Sequence, residues 1–289
     1  MVERKVPCLE QFFDKLIINY WARFKAIFEE NVRSVDALEP SVKKMTSYVS
    51  KGTCPPHFVT IRFATYSCGI LLLNEDKQQA ILNECVRQLQ SCWEKLLSRF
   101  SQKIENEKTR TVFLIINYSV VISAFSAQSL QKFAMYKQIS DALQRFEDDY
   151  IEMELKEHFT RWIGFVATTE TKLQQEPLSK VDMSHVLSIV KNFYETWQRE
   201  LSSAVKNVQD YFTPNISAAS AQEVGNEELF KISKDVLKRM LSQILVYHSR
   251  FVKLIERLMT QQGKDNDILR FVVPEHVIRG EMRSYWNKD

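Results

Sequence analysis

Residues 235–259 read "DVLKRMLSQILVYHSRFVKLIERLM". Leu237, Leu241, Ile244, His248, Phe251, Ile255 and Leu258 recur in steps of four and three, the repeat of a helix face. Met240, Leu245 and Val252 widen that stripe, which suits a helix packed in a bundle better than one strand of a coiled coil. A strand alternates every second residue and rarely passes ten residues, so this stretch reads as helix.

The rest of the chain agrees. It has six glycines and seven prolines in 289 residues. Average usage gives about 20 and about 14. Sheets need many tight turns, and turns consume both residue types. A chain this poor in them has few turns and long elements, so the fold class is all-α.

Eight helical segments are legible. They cover about Leu9–Leu38, Pro55–Asn74, Lys77–Ile104, Thr109–Phe125, Ser129–Leu173 with a break near His158, Met183–Phe212, Glu228–Gln262, and a short one from Pro274 to near Trp286. Asp182 is placed to cap the sixth, and Pro55-Pro56 to open the second. The first carries Phe13, Leu16/Ile17, Trp21, Phe24, Phe28, Val32 and Val35 on one stripe, expected to be core. Helices joined by short loops pack as antiparallel neighbours. The expected architecture is therefore consecutive antiparallel bundles stacked as an elongated rod. The domains are 1–176 and 177–289, with a soft boundary near Pro177.

Charge and chemistry narrow the function. The net charge is +3, with basic and acidic residues interleaved, so no nucleic-acid partner is expected. The cysteines Cys8, Cys54, Cys68, Cys85 and Cys92 form no C-x-x-C pair and read as buried hydrophobes. There is no P-loop, no G-x-G-x-x-G and no G-x-S-x-G. None of His57, His158, His185, His248 and His276 has a Glu three positions earlier, the spacing of carboxylate-bridged metal bundles. The acidic run "RFEDDYIEMELKEH" (145–158) reads as a solvated helix face, and His248 as a core histidine bonded to a neighbour. The residues nominate no catalytic, cofactor-binding or metal-binding site, no cofactor and no small-molecule substrate. Exposed contacts are sought at Tyr285, Trp286 and the basic loop "SVKKMTSYVSK" (41–51).

The letters "LIINY" occur twice, at 16–20 and 114–118, with unlike flanks that exclude a repeat. The second copy lies in an apolar run, 111–127, which reads as short for a membrane span and holds Asn117, Ser119 and Ser123. Asn117 has only apolar residues three and four positions away, whereas Asn19 has Lys15 and Arg23. Asn117 is expected buried and bonded to a neighbouring helix, Asn19 at least partly exposed.

Five blocks carry a resemblance: "WARFKAIFEENVRSV" (21–35), "PPHFVTIRFATYS" (55–67), "VFLIINYSVVISAF" (112–125), "NFYETWQRELSSAVKNVQDYF" (192–212) and "ILVYHSRFVKLI" (244–255). In this order they resemble the C-terminal half of the vacuolar protein sorting-associated protein 52 family, subunits of the GARP and EARP vesicle-tethering complexes. The resemblance implies a helical rod of the kind shared by multisubunit tethers such as exocyst and COG. It implies a non-catalytic role in endosome-to-trans-Golgi transport, with sister tether subunits, SNARE proteins and a Golgi or endosomal small GTPase as partners. The location it implies is the cytosolic face of the trans-Golgi network and endosomes, reached only through those partners. The family's N-terminal coiled-coil region is missing, so a fragment is expected. The loop at 214–227 and the end from 267 onward do not share the resemblance.

Two other readings stand beside it. One is an all-helical regulator of a small GTPase, an exchange factor or an activating protein. Arg62 and Arg110, near helix starts, are the arginines considered for an arginine finger, though nothing in their spacing singles them out. The other is a helical nucleic-acid binder, which needs a basic groove that the sequence does not offer.

Overall fold

The computed structural model describes residues 7–39, 55–75, 79–175, 182–213, 226–262 and 268–286. They form eight α-helices and no strand: α1 Pro7–Asp36, α2 Phe58–Leu73, α3 Ala80–Ser101, α4 Glu107–Ala127, α5 Ala134–Gln175, α6 Met183–Phe212, α7 Asn226–Gln262 and α8 Glu275–Trp286. A 3₁₀ turn, Leu269–Phe271, precedes α8. The all-α class read from glycine scarcity and helical period is the observed one.

Local signals explain the ends. Asp182 caps α6 as its position suggested, its carboxylate accepting the Ser184 amide N–H at 2.9 Å. At α2 the expectation is corrected: the helix starts at Phe58 and its cap is His57. The two prolines precede the cap, and the His57 Nδ1 accepts the Val59 amide N–H at 3.3 Å. Helix α4 ends on a turn in which Ser129 takes a φ of 56°, a left-handed conformation that costs any residue but glycine. Helix α5 kinks at Phe159 (φ −123°, ψ 29°), one residue from the break expected at His158.

The chain forms two compact units. One holds Met1–Ser47, Pro56–Glu105 and Val120–Ser140; the other holds Tyr48–Pro55, Asn106–Ser119 and Asp141–Asp289. The boundary expected near Pro177 lies outside the described residues.

In the first unit α3 packs against both α1 and α2. Its core centres on Trp93, which stacks on Phe63 with ring centroids 4.6 Å apart. Leu96, Leu97 and Phe100 follow on the same buried face. The stripe of α1 corrects the sequence expectation. Only Phe28 and Val32 are buried; Phe13, Leu16, Trp21, Phe24 and Val35 are half-buried and Ile17 is exposed.

In the second unit α7 packs against α6 and α8. Trp162 of α5 meets Phe193 of α6 at 4.6 Å and Phe251 of α7 at 6.1 Å. His248, in the middle of the 4-3 stripe, is buried as expected, with the Val273 backbone as the polar group facing its ring. It also packs beside Phe193.

Asn117 is fully buried and Asn19 is exposed. The Asn117 amide donates to the Phe113 carbonyl of its own helix at 2.8 Å. At 21 residues α4 is long and apolar enough to cross a membrane, so length does not exclude that reading. Its Val112, Phe113, Ile115, Ile116, Val121 and Phe125 are instead buried within the protein.

Candidate interaction surface

Three places concentrate unusual chemistry. The first is the acidic run of α5, and here too the expectation is corrected. Glu147 and Glu154 are buried; Asp148, Asp149, Glu152 and Glu157 remain exposed. Lys108 of α4 reaches Glu154 at 2.7 Å and Glu157 at 2.5 Å. His158 lies 3.3 Å from Glu200 and 3.4 Å from Glu154, and Asn207 closes on the same imidazole at 3.0 Å. Burial alone would lower the Lys108 pKa; its bonds to Glu154 and Glu157 outweigh that and raise it. The Lys108 bond in turn holds Glu157 below the usual carboxylate range. Burial pushes the Tyr150 phenol up, and the charge of Glu154 adds to it. Among the described residues no group of three side chains could hold a metal ion. The cluster fastens α4, α5 and α6 together.

The second is a cleft of about 850 Å³ between α5 and α7, floored by Ile151, Leu155 and Ile163. Arg239 of α7 crosses it to Glu147 and to Asp148 of α5, the latter at 2.6 Å. Burial lowers the guanidinium's pKa. Ion pairs between its walls already bridge this cleft.

The third is left open. Helix α2, "FVTIRFATYSCGILLL", has sixteen residues and one charge, Arg62. A helix on the outside of a fold normally carries a polar outer face. Here Val59, Phe63, Ile70 and Leu71 face the core while Phe58, Ile61, Leu72 and Leu73 stay exposed, Leu73 by 79%. Helix α1 contributes Tyr20, 64% exposed, with Ile17 and Ile27. Two apolar depressions lie between these helices. One, about 530 Å³, is lined by Ser34 and Val35 of α1, by Leu38 just beyond its end, and by Phe58, Ile61 and Arg62 of α2, with Leu89 and Trp93 of α3 behind. The other, about 250 Å³, is lined by Ile17, Tyr20 and Phe24 of α1 and by Ile70 and Leu73 of α2, with Leu82 of α3. Lining residues descend along α1 as they ascend along α2, so the helices run antiparallel. Exposed apolar surface of this kind marks binding surfaces.

The sequence nominated no catalytic, cofactor or metal residue. Of its contact candidates, Tyr285 is half-buried. The Trp286 side chain and the basic loop 41–51 lie outside the described residues. Arg62 rests over the Phe58 ring, 5.4 Å from its centroid, within the open surface; Arg110 is half-buried at the start of α4. Sequence reasoning missed the α1–α2 surface. The signal was present, because "FVTIRFATYSCGILLL" has no polar face to turn outward.

A family model described as Vps52, C-terminal, matches residues 1–151. Vacuolar protein sorting-associated protein 52 A of Arabidopsis thaliana is 23% identical over 272 residues, covering 93% of this chain and 35% of that protein. The Vacuolar protein sorting-associated protein 52 homolog of Homo sapiens is 21% identical over 257 residues, covering 88% of this chain and 33% of the relative. The homolog of Caenorhabditis elegans is 21% identical over 258 residues, covering 88% and 34%. The chain thus spans about a third of the length of the curated relatives it matches. No solved structure matches it.

Proposed function

We propose that this chain, which belongs to the Vps52 family, works by binding proteins and not by catalysis, as part of a vesicle tether in endosome-to-Golgi sorting. The relatives' names speak of vacuolar protein sorting. The family resemblance adds the partners: sister subunits of a GARP- or EARP-type complex, SNARE proteins and a Golgi or endosomal small GTPase. Membrane association then runs through those partners, at the cytosolic face of the trans-Golgi network and endosomes.

One observation carries the reading. The first unit leaves an apolar surface uncovered along α1 and α2, with Tyr20, Ile61 and Leu73 at its rim. A tether subunit needs such contact faces.

The test is capture. The whole chain, immobilised, is expected to retain sister tether subunits, and a SNARE or a GTP-loaded Golgi GTPase from a complete panel of each. Failure with every member of all three sets overturns the reading.

A further inference from the structure

Helices α1 and α2 both pack on α3, and two depressions lie between them. The two depressions follow one another along α2, the first beside Phe58 to Tyr66 and the second beside Ile70 and Leu73, as an interrupted furrow over about 22 Å at 1.5 Å per residue. We propose that this furrow binds a single amphipathic α-helix of a partner protein, one that carries an acidic residue opposite Arg62. The inference rests on the protein-binding reading above and gives that surface its occupant.

The shape selects a helix. Antiparallel walls with a helical floor offer side chains only. An extended segment laid there would bury its backbone N–H and C=O groups without partners, while a helix satisfies its own. A helix of about 15–20 residues matches the length of the walls.

Charge selects the partner's chemistry. Arg62 is the one charged side chain among the described residues that line either depression. It pairs with no carboxylate among the described residues and rests against Phe58. A helix that dries this furrow surrounds the guanidinium with apolar groups, and a carboxylate opposite forms the bidentate pair arginine favours. A basic residue there is repelled.

A second copy of the chain fits poorly. A two-fold contact places the same surface on both partners, and two concave furrows face to face leave a void.

The test uses the whole chain and a display library of helices about 20 residues long, apolar at one stripe and randomised elsewhere. The expected pool shares an acid at one recurrent position beside the stripe. Leu73→Asp and Ile61→Asp each weaken binding about tenfold or more, as loss of a central apolar contact does. Arg62→Glu weakens it severalfold, and Lys in place of the peptide's acid restores binding to that variant. Leu73 and Ile61 are exposed, so unchanged thermal melting of these variants is the control. Helices that bind all three variants as well as the parent overturn the inference, as does a pool with no recurrent acid. So does a concentration-dependent dimer dissolved by Leu73→Asp, which hands the furrow to a second copy. Phosphatidylcholine–phosphatidylserine vesicles that sediment the parent but not Leu73→Asp hand it to lipid, and overturn the inference equally. The tether reading falls separately, on the parent chain's failure to capture any sister subunit, SNARE or GTPase.

Discussion

Trp93 of α3 donates its indole N–H to the Thr60 hydroxyl of α2 at 2.9 Å, inside a fully buried contact. The bond fixes how α2 lies on α3, and with it which residues of α2 face outward. Thr60→Val keeps the shape and removes the acceptor. It is expected to cost about 1–3 kcal/mol, the penalty of a buried polar group losing its partner. Urea unfolding followed by tryptophan fluorescence measures it; a midpoint equal to the parent's contradicts the assignment.

Lys108 and Glu154 form an enclosed lysine–carboxylate pair, Glu154 being fully buried. Lys108→Ala leaves that carboxylate only its longer contacts to His158 and Asn207, 3.4 Å each, and is expected to cost about 3 kcal/mol. The double change Lys108→Met with Glu154→Leu is expected to recover most of it, because the apolar pair has no charge to desolvate. Chemical denaturation of the three variants decides; a double variant as weak as Lys108→Ala refutes the account.

Acid is expected to loosen both units through their buried histidines. Burial lowers the pKa of His57; it also lowers that of His248, against the opposing pull of the Val273 carbonyl and Glu275. Each unfolded histidine binds a proton near pH 6.5 while the folded one resists it. Their contribution is therefore complete above pH 6.5 and is lost as pH falls below that value toward the lowered folded pKa. At His57 protonation of Nδ1 also removes the acceptor that caps α2. Urea midpoints measured from pH 7.5 down to 5.5 should fall, and less steeply in a variant carrying His57→Asn and His248→Gln. Equal slopes contradict the assignment.

Ser129 holds a left-handed φ of 56° between α4 and α5. Ser129→Gly is expected to stabilise the protein by about 0.5–1 kcal/mol, relief of strain exceeding the added freedom of the unfolded chain. A calorimetric melting temperature below the parent's rules this out.

Helix period and glycine scarcity made the fold class readable, and the Asp182 cap and the α5 break were equally plain, because each depends on neighbours in sequence. Partners far along the chain were not readable. Glu154 looks solvated until Lys108, 46 residues away, is brought to it, and Asp148 meets Arg239 only across 91. The α1 stripe failed for a different reason. Periodicity tells which face is apolar; it carries no information on whether another helix covers that face. Tyr20 and Phe28 belong to one apolar arc, yet only Phe28 is buried.

The exterior position of α2 also bears on supply. Any molecule that covers Ile61 and Leu73 stabilises the fold by mass action, by about 2.7 kcal/mol at a hundredfold excess over its dissociation constant. Unaccompanied copies unfold more often and are the ones that proteases reach. A companion that covers this surface would thereby tie the cellular level of this chain to its own.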